Sequence, residues 1–133
     1  MNLTVSGQND FALLFVYGSL KRGFALHDHL RDQIFLGETS TQPTYRLFDC
    51  GPYPAMVKVA ANGVRVKGEV FQVSHHCLTQ LDEVEGVPEG LYSREPVDLE
   101  ADFLPAPVLT YLYRQSTASL ADCGTVWPAA PQT

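Results

Sequence analysis

The residue in this sequence whose type and position best suit acid–base chemistry is Glu85, which directly follows the predicted helix His75–Val84. When Leu78 is set at zero and each residue advances by about 100°, Glu85 lies at about −20° and Leu81 at about −60°. Glu85 therefore falls within the apolar stripe that turns to the core. Burial and the negative end of the helix dipole both disfavour an ionised carboxyl. We expect a raised pKa for Glu85 and a stronger base than a surface glutamate.

The same position also permits a structural interpretation. If the helix ends one or two residues earlier than predicted, the Glu85 side chain lies in water as part of a frayed end. Of its acidic neighbours, Asp82 lies at about +40°, and Glu83 points away from the stripe at about 140°. The pattern alone leaves open whether Glu85 is a buried base or an exposed helix end.

A glycine-containing turn follows the first predicted strand. The continuous apolar run 13–17 is typical of a strand buried on both faces, and it stops at the segment 18–23, Gly-Ser-Leu-Lys-Arg-Gly. Such a turn can present consecutive backbone N–H groups to an anion or a carbonyl oxygen. Its spacing fits neither a Walker loop nor a dinucleotide-binding fingerprint. A plain strand-ending turn is the alternative.

Further short strands are predicted around this turn and the helix. Asn62-Gly63 indicates a hairpin between two of them. After it, apolar residues alternate with Arg65, Lys67 and Glu69, which predicts one buried and one solvated face. The strand segments beyond the first are 34–37, 45–48, 55–59, 64–73, 91–97 and 108–113.

The ends of the helix are marked by Ser74, a predicted N-cap, and Gly86, a predicted C-cap. Trp127 is expected to pack back on the sheet. Together the segments predict an α+β fold: a small mixed, mostly antiparallel β-barrel of about six or seven strands with one main helix and short helical turns.

The composition is that of one folded domain, residues 1–133, with the segments 1–10 and 129–133 expected to be flexible. A net charge of −6 argues against a nucleic-acid surface. The three cysteines show no zinc spacing, and His27 and His29 lack a third ligand, so no metal is expected. Neither a signal peptide nor a membrane span is recognised, so a cytoplasmic location is expected and a membrane partner is not.

Three separated segments together resemble a known family. They are Tyr17–Leu20 at the end of the first strand, Gly51–Ala55 in mid-chain, and Leu81–Gly86 with Tyr92 and Arg94. In this order they resemble the γ-glutamylcyclotransferase-like family, which includes γ-glutamylamine cyclotransferases and butirosin-type γ-glutamyl cyclotransferases. The resemblance extends from about residue 13 to residue 113. It is more specific for the family than for any one substrate.

The resemblance implies a mixed β-barrel and a reaction on a small γ-glutamyl amine or amide, without metal or organic cofactor. The α-amino group of the substrate attacks its own γ-carbonyl, and 5-oxoproline and a free amine or amino acid are released. Glu85 matches the position of the catalytic general acid and base, and the turn after the first strand matches the loop that binds the glutamyl part. The candidate substrate-binding residues are Tyr17, Gly18, Ser19, Leu20, Tyr53, Tyr92, Arg94 and Tyr111.

Other interpretations remain open at this stage. The tyrosines can equally belong to the core, and Arg94 can bind Glu85 or Asp82 or lie on the surface. The same fold can serve as a non-catalytic module that binds a small ligand or a protein partner. A thiol enzyme using Cys77 is a weaker option, because no histidine and aspartate are arranged around it. The oligomeric state is not predicted.

Overall fold

The first strand lies at the centre of the larger of two sheets. The computed structural model describes residues 11–104 and 106–129. The sheet contains five strands, in which Phe11–Val16 runs parallel to Val108–Tyr113 and all other neighbours are antiparallel. In spatial order they are Ile34–Ser40 (β2), Lys67–Ser74 (β5), Phe11–Val16 (β1), Val108–Tyr113 (β7) and Tyr92–Pro96 (β6).

Strand β1 is buried on both faces, as its continuous apolar sequence predicted. Leu13 and Phe15 pack into one core cluster, whereas Leu14 and Val16 pack into the other. Alternate side chains of a strand point to opposite faces, so both faces must be covered. The turn at the end of β1 therefore starts from a firmly held point.

A second sheet covers the Phe15 face of the first. Its three strands, in spatial order, are Pro54–Lys58 (β4), Tyr45–Asp49 (β3) and Ala121–Asp122 (β8). Among the described residues the strands thus form two sheets, and closure into the single barrel that we expected is not observed. Strand β8 was missed because its two residues are exposed and carry no apolar pattern.

The hairpin predicted at Asn62-Gly63 is wrong. Asn62 does adopt a left-handed conformation, with φ of 62°. However, the strands on either side, β4 and β5, belong to different sheets and do not pair. Val64 instead forms an isolated bridge with Tyr45, and the chain crosses from one sheet to the other. Asn62-Gly63 lies in a bend and not in a hairpin turn, and the core decides which strands become partners.

The predicted alternation along β5 fails at Glu69, which is buried although it was assigned to the solvated face. Its carboxylate accepts a hydrogen bond of 3.0 Å from the backbone N–H of Arg22. The neighbouring Lys21 is also buried, and its Nζ donates to the carbonyl of Trp127 at 2.7 Å. These two bonds attach the turn after β1 to strand β5 and to Trp127.

The α-helix His75–Val84 (α1) begins and ends where its predicted caps lie. The hydroxyl of Ser74 accepts a hydrogen bond of 3.0 Å from the N–H of Cys77. The buried face of the helix, which includes Leu81, packs on the larger sheet, and a 3₁₀ helix, His27–Leu30, lies beside it. None of the helices in the described residues has the length and apolar character needed to cross a membrane.

Trp127 is buried, as expected. Its ring lies 5.9 Å from that of Phe24, and its indole N–H donates to Asp49 at 3.1 Å. Of the segments expected to be flexible, residues 1–10 and 130–133 lie outside the described residues.

Candidate active site

Glu85 is the C-cap residue of helix α1. The N–H of Gly86 bonds to the carbonyl of Glu83 at 3.1 Å, and the N–H of Val87 bonds to that of Asp82 at 2.9 Å. Gly86 has a φ of +70°, so these bonds form a Schellman motif. The direction of the Glu85 side chain is therefore set by a defined cap and not by a frayed turn.

The carboxyl of Glu85 is desolvated and unpaired. Burial raises its pKa from an ordinary 4.5 to about 7. Within residues 11–104 and 106–129 its carboxylate has neither a hydrogen bond nor an ion pair, because Arg94 binds Asp82 instead, with bonds of 2.9 and 3.0 Å. A carboxyl with a pKa near neutrality can both accept and return a proton.

A narrow pocket of about 30 Å³ lies in front of Glu85. Five parts of the chain form its wall. They are residues 15–20 at the end of β1 and the start of the turn, the start of β4 with the residue before it, the end of α1, strand β6 and strand β7. The side chains from the last four parts are Tyr53, Pro54, Glu85, Tyr92 and Tyr111.

Gly18 allows the turn after β1 to approach β4 closely. A Cβ atom placed on Gly18 would lie 2.5 Å from Cδ of Pro54, well inside normal contact distance. The backbone of Gly18 does not require the left-handed region, so this glycine is needed for space and not for its conformation. The close approach brings the turn and Tyr53 to the same pocket.

The turn presents three consecutive N–H groups. Gly18, Ser19 and Leu20 are buried, and their N–H groups have no acceptor among the described residues. The carbonyls of the same three residues are all hydrogen-bonded to the segment that follows, at 2.8 to 3.0 Å. Buried N–H groups without a partner are rare, so this site has room for an acceptor from a ligand or from water.

Three of the four tyrosine hydroxyls that line the pocket are oriented by protein acceptors. Tyr111 donates to Oδ1 of Asp82 at 2.7 Å, Tyr17 donates to the carbonyl of Tyr111 at 2.5 Å, and Tyr92 donates to the carbonyl of Pro54. Burial is the largest cause of a raised pKa in all three, so they stay neutral. A phenol has one proton and two lone pairs. The proton of each of these three hydroxyls is donated to a protein acceptor. Each hydroxyl oxygen can therefore only accept a hydrogen bond from a ligand.

The other chemistry-bearing side chains lie outside this arrangement. The buried thiol of Cys77 donates to the carbonyl of His29 at 3.4 Å, and burial raises its pKa, which is the opposite of what activates a thiol. The ring of His27 is hydrogen-bonded to the carbonyl of Leu20. In the part of the chain that the structure describes, no group of three or more side chains could hold a metal ion.

Most of the chain matches a known protein family. Residues 14–127 fit the model of the family described as gamma-glutamyl cyclotransferase, AIG2-like. The chain belongs to this family. The resemblance identified from the three sequence segments is thereby confirmed.

Relatives of this gamma-glutamyl cyclotransferase, AIG2-like chain occur in plants and animals. A protein of Arabidopsis thaliana named "Putative gamma-glutamylcyclotransferase" is 41% identical over 96 residues, which cover 67% of this chain and 51% of that protein. The human protein named "Gamma-glutamylaminecyclotransferase" is 33% identical over 123 residues and 80% of each chain. The crystal structure of a mouse AIG2-like protein superposes with a TM-score of 0.67 at 28% identity, and covers 81% of this chain and 79% of that one.

In this family member, all but one of the predicted substrate-binding residues line the pocket together with Glu85. Those that do are Tyr17, Gly18, Ser19, Leu20, Tyr53, Tyr92 and Tyr111. Arg94 is not in the wall of the pocket, because it is bound to Asp82.

Two residues that orient the site were not predicted. Asp82 holds the hydroxyl of Tyr111, and Pro54 holds that of Tyr92. The signal for Asp82 was its helical angle of about 40°, on the same side as the apolar stripe. The signal for Pro54 was its place in the rigid Gly-Pro-Tyr-Pro segment.

Proposed function

We propose that this protein is a γ-glutamyl cyclotransferase that releases 5-oxoproline and a free amine or amino acid from a γ-glutamyl amine or amide. One observation carries the proposal: a half-buried Glu85, unpaired among the described residues, shares a pocket with three unpaired N–H groups. Family membership and the name of the human relative support it.

The polarity of the pocket suits the two ends of a glutamyl group. The lone pairs of Tyr92 and Tyr111, with the carboxylate of Glu85, accept hydrogen bonds from an α-ammonium group. The N–H groups of the turn donate to a carbonyl or carboxylate oxygen. A ligand with a donor at one end and acceptors at the other therefore has one preferred orientation.

Glu85 serves as the base because its pKa is close to neutrality. An ammonium group must lose a proton before its nitrogen can attack. The increase in the pKa of Glu85 from 4.5 to about 7 makes this transfer easier by roughly 3 kcal/mol. The bound ammonium keeps Glu85 ionised and ready to accept the proton, and it offsets part of this gain because an adjacent positive charge lowers the pKa of the carboxyl.

The reaction then proceeds within one molecule. The freed amine attacks the γ-carbonyl carbon, a C–N bond forms, and negative charge develops on the carbonyl oxygen. The N–H groups of Gly18, Ser19 and Leu20 stabilise that charge. Glu85 returns its proton to the leaving nitrogen, the original C–N bond breaks, and the amine leaves. The new ring nitrogen loses its extra proton to the Glu85 carboxylate and from there to water, which gives 5-oxoproline. Since nucleophile and carbonyl belong to the same substrate, the pocket only has to hold them in register.

The test is to incubate the pure protein with γ-glutamyl amines, γ-glutamyl-ε-lysine and γ-glutamyl dipeptides and to quantify 5-oxoproline. We expect release from at least one class of amide. A thermal shift with glutamate but no 5-oxoproline from any amide would instead support the non-catalytic binding module.

A further inference from the structure

A second cleft opens outward from the pocket of Glu85. It has a volume of about 250 Å³ and shares Ser19, Tyr53, Glu85 and Tyr92 with the inner pocket. Because Glu85 belongs to both walls, it lies where the two spaces meet. A substrate whose glutamyl part occupies the inner pocket has its reacting amide near Glu85 and its amine substituent in the outer cleft.

The outer cleft is apolar apart from the residues that it shares. Among the described residues, the remaining wall consists of Ala25, Leu26, Pro52, Val84 and Leu91, and Glu85 is the single charged residue that lines the cleft. In the proposed reaction Glu85 is occupied by the glutamyl amine. A charged group on the leaving amine would therefore enter the cleft without a partner and lose part of its hydration.

We propose that the outer cleft selects uncharged, apolar amine substituents, so that γ-glutamyl alkylamines are better substrates than γ-glutamyl-ε-lysine or γ-glutamyl dipeptides. This inference rests on the proposed function. Each methylene that the cleft buries should raise kcat/KM by about fourfold, until the chain extends beyond the wall.

The decisive comparison uses two amides of the same length. γ-Glutamyl n-hexylamine and γ-glutamyl 5-aminopentylamine differ only in a terminal methyl group in place of an ammonium group. We expect kcat/KM for the hexyl amide to be at least about tenfold higher, since an ammonium group is expensive to desolvate. The methyl, propyl and pentyl amides provide the length series.

A substitution at the rim assigns the preference to this cleft. Val84 is 38% exposed, so Val84→Asp adds a carboxylate to the wall without removing a core side chain. We expect the hexyl-to-aminopentyl ratio to fall by about tenfold or more, because the ammonium gains a partner. Gln80→Asp is the matched control: it adds the same charge at an exposed position of the same helix, outside the cleft, and should leave the ratio unchanged.

The outcomes separate this inference from the proposed function. If turnover does not depend on chain length, or if the unmodified protein favours the aminopentyl amide, the proposed selectivity of the outer cleft is wrong. The proposed cyclotransferase activity is still supported in that case, because 5-oxoproline is released. An unchanged ratio in a folded Val84→Asp protein likewise overturns the assignment to this cleft. The absence of 5-oxoproline from every amide overturns the proposed function and this inference with it.

Discussion

The hydroxyl of Tyr111 donates its proton to Asp82 at 2.7 Å, and the same carboxylate accepts two bonds from Arg94. The phenol oxygen is thus held with only lone pairs available to the pocket. Asp82 lies three residues before Glu85, and residues at that spacing share one face of a helix. One helix end therefore supplies both the proposed base and the residue that orients its neighbour.

Tyr111→Phe should weaken the binding of ligands that carry an amine. L-Glutamate and glutarate differ only in the amino group, so their dissociation constants can be compared by calorimetry. We expect a loss of about tenfold or more for glutamate, as for a hydrogen bond to a charged group, and little change for glutarate. Tyr113→Phe, on the same strand but outside the pocket wall, is the control. An equal loss for both ligands would show that Tyr111 acts only through the structure of the pocket.

Glu85→Gln should abolish most of the turnover while the pocket keeps its shape. General acid–base catalysis contributes about 10² to 10⁴ in rate, so kcat should fall by that factor. In the unmodified protein, kcat/KM should rise with pH around the pKa of Glu85, about 7. Glu83→Gln, at an exposed position on the same helix, should keep both the rate and the pH profile. Full turnover in a folded Glu85→Gln protein would remove Glu85 from the role of base.

The same substitution should change how stability depends on pH. The folded pKa of Glu85, about 7, lies above its unfolded value of about 4.3, so the folded state binds the proton more tightly. Stability from this group is therefore complete below pH 4 and is lost as the pH rises through 7. Between pH 4 and pH 8 the free energy of unfolding of Glu85→Gln should improve by roughly 3 kcal/mol relative to the unmodified protein. Urea titrations at both pH values measure this difference, and a constant difference would mean that Glu85 is solvated.

The sequence predicted what depends on local chemistry. Both caps of α1, the burial of β1 and the raised pKa of Glu85 follow from short segments whose residue types act on their immediate neighbours. Which strands pair, and which side chains bind each other, could not be predicted from such short segments. Asn62-Gly63 lies in a bend that joins two sheets, and Glu69 is buried where Arg22, 47 residues away, supplies a donor. Only the folded core brings such residues together.

The site was predictable to a similar extent. Glu85 and the turn after β1 could be identified because each has a local signature, one helical and one glycine-dependent. The orientation of the tyrosine hydroxyls by Asp82 and Pro54 could not be predicted, because it requires residues from separate elements to meet. Arg94 was predicted to bind substrate, and its place beside Asp82 is equally a result of tertiary structure.

Gly18→Ala should displace the turn and reduce both stability and activity. The added Cβ would lie 2.5 Å from Cδ of Pro54, and overpacking of this kind typically costs about 1–3 kcal/mol. Pro54→Ala removes the ring atoms that the new methyl group would meet. It keeps the backbone carbonyl to which Tyr92 donates. The double variant Gly18→Ala/Pro54→Ala should therefore recover part of the stability and of the turnover that Gly18→Ala loses. Urea unfolding and 5-oxoproline release of the four proteins form a double-mutant cycle. Additive losses would show that Gly18 is required for a reason other than its approach to Pro54.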